Sequence, residues 1–265
     1  MIPISYRLES AGVTEHPPGF QTPWRRVGNA VVTQIRQGTA ELWTERERLL
    51  LASGMGFLVP PGVKTKLHTT GDSSCVVEDL HFHCRLYEAH GLFTVLNRPL
   101  IFEGPVAGGI GQRSQRIVQL MKQPRTMRKS IEVSRLLAEI VSSILEAYPE
   151  LEEAWQHPLR QRLLPVLRFI QDHLREPICR EDLARVAGVS PVHLHNLCVA
   201  AFGTSPVAMV LRERMQHARQ LLHWSDLPVA EVASRCGFRD PAYFNRMFKK
   251  MEGVAPGRYR RLVRQ

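Results

Sequence analysis

"CGFRDPAYFNRMFKK", residues 236–250, is the stretch that decides the fold. Asp240 suits a helix N-cap, because its carboxylate can accept from the unpaired backbone N–H groups of the first turn. Pro241 suits the first helical position, where a missing N–H costs nothing. Gly237 supplies the turn just before it. From there Tyr243, Phe244, Met247, Phe248 and Met251 recur at helical spacing as one apolar stripe. Ala242, Asn245, Arg246 and Lys249 fall on the other side, with Lys250 at the edge. The expected helix has one face to bury and one face of amide and cation donors. Taken alone, it reads equally well as a solvated surface helix.

The pattern occurs twice. "EDLARVAGVSPVHLHNLCVAAFGTSP" (181–206) aligns with "AEVASRCGFRDPAYFNRMFKKMEGVAP" (230–256). Ala184 matches Ala233 and Gly188 matches Gly237 at one offset. After a one-residue insertion, Pro191 matches Pro241, Leu194 matches Phe244, Leu197 matches Met247, Gly203 matches Gly253 and Pro206 matches Pro256. Each copy is a short helix with a small packing residue, a glycine turn, and a second helix begun by a cap and a proline. Ser190 caps the first copy as Asp240 caps the second. That is the grammar of a helix–turn–helix. Two copies favour nucleic-acid binding over a merely repeated helical bundle. "SPVAMVLRERMQHARQLL" (205–222) reads as one long helix between them. It could set the spacing of about 34 Å that two reading helices need on one face of DNA.

Charge agrees with this placement. The 265 residues carry a net charge of +10. Residues 1–150 contribute 17 Lys+Arg against 14 Asp+Glu, and residues 151–265 contribute 18 against 11. The cationic excess lies mainly in the C-terminal part and points to an anionic partner. Five scattered cysteines without a C-x-x-C pair read as reduced thiols. No signal peptide and no run of about 20 apolar residues is evident, so a cytoplasmic protein without membrane attachment is expected.

Residues 1–24, with Pro3, Pro17, Pro18 and Pro23, read as an irregular arm. Short strands are expected over 27–35, 39–44, 48–52, 56–68 (broken by Pro60-Pro61-Gly62) and 74–84, which suggests a sandwich or barrel. Amphipathic helices are expected at 111–122 and at 130–148, the latter capped by Ser130. The apolar stripe of the second reads as a self-association surface, with packing inside the chain as the alternative. The acidic, proline-bounded segment 149–158 reads as a linker.

Candidate metal ligands are His68, His81 and His83, with Cys75 or Cys84. His81 and His83 share a strand face, but no His lies between His16 and His68 to supply the rest of a site. No metal or other cofactor is expected. Trp24, Arg36, Trp43 and His81 combine aromatic faces with polar heads and are the candidate effector-binding residues, suited to a sugar or a related metabolite.

The residues from Leu183-Ala184 through Gly188, Arg214, Gly237-Phe238, Tyr243-Phe244, Arg246, Phe248-Lys249-Lys250, Gly253, Pro256 and Tyr259-Arg260 resemble the signature of AraC-type transcription regulators. The stretch Gly56–His68 resembles half of a cupin motif. The resemblance implies an α+β chain of two domains. A cupin-like β-barrel with flanking helices (1–150) would sense an effector and dimerise. After a linker (151–158), an all-α tandem helix–turn–helix domain (159–265) would bind DNA. It implies base-facing positions at Val192, His195 and Asn196 in the first module, and at Pro241, Ala242, Asn245 and Arg246 in the second. Lys249, Lys250, Arg258 and Arg260 would meet phosphate. The implied partners are a promoter operator in double-stranded DNA, a small-molecule effector, a second copy of the chain, and RNA polymerase as a further candidate. No catalysis is expected. The alternatives are a cupin-type metalloenzyme with a helical appendage and a dimeric DNA-binding protein that needs no ligand. One departure stands out: Cys198 and Val199-Ala200 occupy positions that are usually aromatic and basic in that family. The first module should therefore hold phosphate less well.

Overall fold

Residues Ile4–His16 form a strand of 13 residues, β1, where an irregular arm was expected. In this computed structural model, which describes residues 4–86 and 90–263, the nearby prolines bracket β1 rather than interrupt it. β1 pairs antiparallel with β8 (Cys75–Leu86) as an edge strand. The register shifts between Leu8 and Ser10. The residue at the shift, Glu9, meets His83 Nε2 at 2.5 Å and also accepts from the Asn29 amide. Re-aiming one side chain is the usual work of a β-bulge.

The remaining strands are β2 (Arg25–Arg26), β3 (Ala30–Gln37), β4 (Thr39–Thr44), β5 (Arg48–Ala52), β6 (Gly56–Val59), β7 (Lys64–Thr70), β9 (His90–Gly91) and β10 (Leu100–Phe102). Among the described residues they form two sheets. One runs β1-β8-β3-β6-β10, with β9 beside β8, and the other runs β2-β7-β4-β5. Strand alternation sets the core between them. Val31, Ile35, Ala40, Leu42, Leu51, Phe57, Val59, Leu67, Cys75 and Val77 pack as one buried cluster. The opposite parity of the first sheet carries Val32, Leu80 and Phe82, also buried. Helices α1 (Gly104–Met121) and α2 (Met127–Ala147) pack on each other and against that sheet.

α2 is capped by Thr126, which accepts from Lys129 N, rather than by Ser130. Its stripe (Val133, Leu136, Leu137, Ile140, Val141, Ile144) is buried within the chain, so the expected self-association face is an intramolecular one. Most of the segment read as a linker is a further helix, α3 (Glu150–Gln156). Leu151 and Trp155 are buried, and Trp155 Nε1 donates to the Leu92 carbonyl at 2.7 Å. The chain divides into compact units at 1–156 and 157–265, immediately after this anchor.

The second unit is helical: α4 (Pro158–Asp172), α5 (Arg180–Ala187), α6 (Pro191–Phe202), α7 (Pro206–Trp224), α8 (Val229–Arg235), α9 (Pro241–Glu252) and α10 (Pro256–Val263). The sequence repeat becomes a structural one, α5–α6 and α8–α9, joined by α7. Gly188 (φ +65°) and Gly237 (φ +77°) make the two turns in the left-handed region. Behind the second pair, Met215, Ala218 and Leu222 of α7 pack with Val232, Ala233, Cys236, Phe238, Phe244 and Phe248. Cys198 is fully buried at the place in α6 that Phe248 fills in α9, and burial pushes its thiol up to about 11.

Candidate nucleic-acid interface and effector cavity

The outward side of α9 is built by its cap and its stripe together. Asp240 Oδ1 accepts from Ala242 N at 2.8 Å and fixes where the helix begins. Phe244 and Phe248 are completely buried, which turns Pro241, Ala242, Asn245, Arg246, Lys249 and Lys250 to solvent. Arg246 is held only loosely: its guanidinium lies 3.9 Å from Asp240 Oδ2 and 6.0 Å from the Tyr243 ring centroid. Asn245 donates from its amide nitrogen to Pro241 O at 3.0 Å. The expected donors of the second module therefore stand together on one exposed face. Arg258 of α10 is exposed as well. Arg260 is less open than Arg258. It is half-buried, and its guanidinium donates to the Leu227 carbonyl at 2.5 Å, which pins α10 to the turn before α8.

α6 repeats this geometry with other chemistry. Ser190 Oγ accepts from His193 N at 3.2 Å. Leu194, Cys198 and Ala201 are buried, and Val192, His195 and Asn196 are exposed together with Val199 and Ala200. This helix presents one amide, imidazoles and aliphatic groups, and it contains no lysine or arginine.

In the other unit, a cavity of about 340 Å³ lies between the two sheets. Seven of the strands contribute one or two inward residues: Thr14 and His16 from β1, Arg25 from β2, Val31 and Thr33 from β3, Leu42 from β4, Phe57 and Val59 from β6, Thr65 and Leu67 from β7, Val77 and Asp79 from β8. Phe20, Thr22, Pro23 and Val27 complete it. The wall mixes aliphatic and aromatic side chains with polar ones at Thr14, His16, Thr22, Arg25, Thr33, Thr65 and Asp79. Thr33 Oγ1 donates to Asp79 Oδ1 at 2.5 Å, and the His16 ring stacks on Phe20 at 4.3 Å.

The four side chains chosen from sequence do not line this cavity. Trp24 is exposed, with Lys64 Nζ 5.4 Å from its ring. Trp43 lies on the outer parity of β4, donating to Glu41 and flanked by Arg48 and Lys66. Arg36 points to the helix side of its sheet, where it donates to Glu78 Oε1 at 2.7 Å and to Gly111 O at 2.9 Å. His81 alone shares the inward parity of Val77 and Asp79, opposite Val31 in register. The signal that could have found the cavity was strand parity, since aromatic character marked surface positions.

The metal candidates also stay apart. His68 sits on the outer face beside Glu41 and Trp43, whereas His83 is paired with Glu9. Burial pushes the Cys84 thiol up to about 12. Among the described residues, no three His, Cys, Asp or Glu side chains form a metal-sized group.

Burial lowers the pKa of His81 below its ordinary 6.5. Asp79 and Glu9 oppose the shift, and Arg25 adds to it. His16 is lowered too, again mainly by burial. The unfolded chain then binds these protons more readily than the folded one. Stability is full above about pH 6.5 and declines as pH falls through that value toward the folded pKa. Thermal denaturation between pH 7.5 and 5 should show this decline, and His81→Gln should make it shallower.

Comparison with known proteins follows both units. A family model described as "AraC-like ligand binding domain" matches residues 7–157, and one described as "Helix-turn-helix domain" matches residues 183–262. The chain is 39% identical to the HTH-type transcriptional regulator GlxA of Rhizobium meliloti over 99 residues, which are 37% of this chain and 31% of GlxA. It thus spans about a third of the length of that relative. It is 24% identical to LumQ of Photobacterium leiognathi, named as a transcriptional regulator, over 86% of this chain and 87% of that one. A solved structure of ToxT from Vibrio cholerae with a bound unsaturated fatty acid shares the fold. Its TM-score is 0.60 at 13% identity, over 95% of this chain and 94% of that one.

Proposed function

Since this chain belongs to the AraC-type transcription regulators, whose ligand-binding model covers more than half of it, we propose that it binds promoter DNA through α6 and α9 and answers to a small molecule held between its two sheets. The observation that carries this reading is the exposed row Asn245, Arg246, Lys249 and Lys250 on a capped helix anchored by the buried Phe244 and Phe248. Asn suits adenine, Arg suits the O6 and N7 of guanine, and the lysines suit phosphate.

The effector reading rests on the cavity. A volume of about 340 Å³ is at the small end of ligand pockets. Its valines, leucines and phenylalanines with Arg25 among them suit a molecule with an apolar body and an anionic head, and among the described residues no tryptophan lines it for stacking on a sugar. The fatty acid in the ToxT structure is a ligand of that kind. A dimer would use surface other than the buried stripe of α2. Contact with RNA polymerase belongs to the same proposal, as does the absence of catalysis, which agrees with relatives named as regulators. No single helix among the described residues is long and apolar enough to cross a membrane.

The test is selection of bound duplexes from a random pool by the full chain, with affinity then measured at several salt concentrations. A selected sequence whose binding weakens steeply with salt is expected. Recovery of no sequence would reject the reading. For the effector, medium-chain carboxylates should raise the melting temperature and sugars should not.

A further inference from the structure

The two reading helices occupy equivalent places but carry different chemistry. With the fifty-residue offset of the repeat, Val192 of α6 stands where α9 has Ala242, His195 where it has Asn245, and Asn196 where it has Arg246. Val199 and Ala200 stand where α9 has Lys249 and Lys250. All of these positions are exposed in both helices. On α6 the buried row Leu194, Cys198 and Ala201 lies opposite, so Val192, Asn196 and Val199 mark the middle of the outward side. Val192 is 71% exposed and Val199 44% exposed, so two aliphatic side chains lie on the same outward side as Asn196.

In the major groove, the apolar feature of a base edge is the thymine 5-methyl group, and the partner that a carboxamide grips with two hydrogen bonds is adenine. We propose that α6 reads an A·T-containing half-site, with Val192 against a thymine methyl and Asn196 on an adenine, while α9 reads guanine through Arg246 and supplies the phosphate anchorage for both. Sequence reading and charge anchorage are then divided unequally between the modules. This rests on the DNA-binding reading above and specifies what its first half-site contains.

The test uses the full chain and its selected duplex. The half-site whose base preference Arg246→Ala relaxes belongs to α9, and the other belongs to α6. Each thymine in the α6 half-site is replaced by deoxyuridine, which removes only the methyl. Affinity should fall roughly four-fold at the contacted position, the effect of exposing one apolar carbon. Val192→Ala should lower affinity for the thymine duplex and abolish the difference between thymine and uracil there. Because Val192 is exposed, this variant should melt with the parent. Val199→Ala should leave the salt dependence unchanged, whereas Lys249→Ala should reduce its slope by about one. A site indifferent to every thymine-to-uracil exchange, or a Val192→Ala variant still sensitive to it, would overturn the methyl assignment while leaving DNA binding intact. A chain that selects no sequence would overturn both.

Discussion

Gly237→Ala should unfold the C-terminal unit well before its counterpart Gly188→Ala does. Both glycines sit in the left-handed region, where an L-residue costs about 1–2 kcal/mol. Around Gly188 there is open space, so its substitution should cost only that amount. A Cβ on Gly237 would lie 2.4 Å from the Leu174 carbonyl oxygen and 2.9 Å from Arg214 Nη2. The carbonyl belongs to backbone and cannot swing aside. It is also held in place, because Arg214 Nε donates to it at 3.1 Å while Arg214 Nη2 donates to Glu176 O at 2.5 Å. The combined cost should reach about 3 kcal/mol or more. A unit of this size loses roughly 4 °C or more per kcal/mol, so the melting temperature should drop by more than about 10 °C. Circular dichroism melts of the two variants decide the matter. Equal, small shifts would show that the α8–α9 turn is not packed against the end of α4 as described.

Arg246→Ala should have the largest effect on recognition. The side chain is mostly exposed and lightly held, so removing it should leave the melt unchanged. A bidentate contact with guanine is worth about 1–3 kcal/mol against the wrong base. The variant should therefore bind the selected site roughly ten- to a hundred-fold more weakly and tolerate any base at one position. Lys249→Ala should weaken all sequences alike and flatten the salt dependence. Competition between the selected duplex and its single-base variants separates the two behaviours. If Arg246→Ala kept both affinity and selectivity, α9 would not enter the groove.

The sequence made α9 legible because everything that defines it is local. A cap, a proline and an apolar stripe fall within a dozen residues, and the upstream copy shows that the arrangement is a unit. Helices α1, α2 and α7 announced themselves in the same way, by period. What escaped notice depends on partners remote in sequence. β1 alternates weakly because it is a half-exposed edge strand, so its pairing with β8 had no local signature. α3 was hidden by its acidic first turn, although Leu151 and Trp155 are four residues apart on one face. The cavity was the hardest to foresee, since it takes one or two residues from each of six strands and one from the two-residue β2. No short stretch of the chain looks like a pocket. Arg260 shows what residue type alone leaves out, since a cation in a basic segment also donates to a backbone carbonyl within its reach.

Trp155, with its indole bonded to the Leu92 carbonyl, has a practical consequence. The chain holds four tryptophans, and Trp224 alone falls in the unit that begins at residue 157. Trp155 is 3% exposed and Trp224 is 48% exposed. A shielded indole emits at shorter wavelength than a hydrated one. Loss of the blue edge of the intrinsic fluorescence will therefore report melting of the sandwich, while iodide quenching at the red edge will draw on both Trp224 and the 43%-exposed Trp24. Melting of the first unit can be watched without a label.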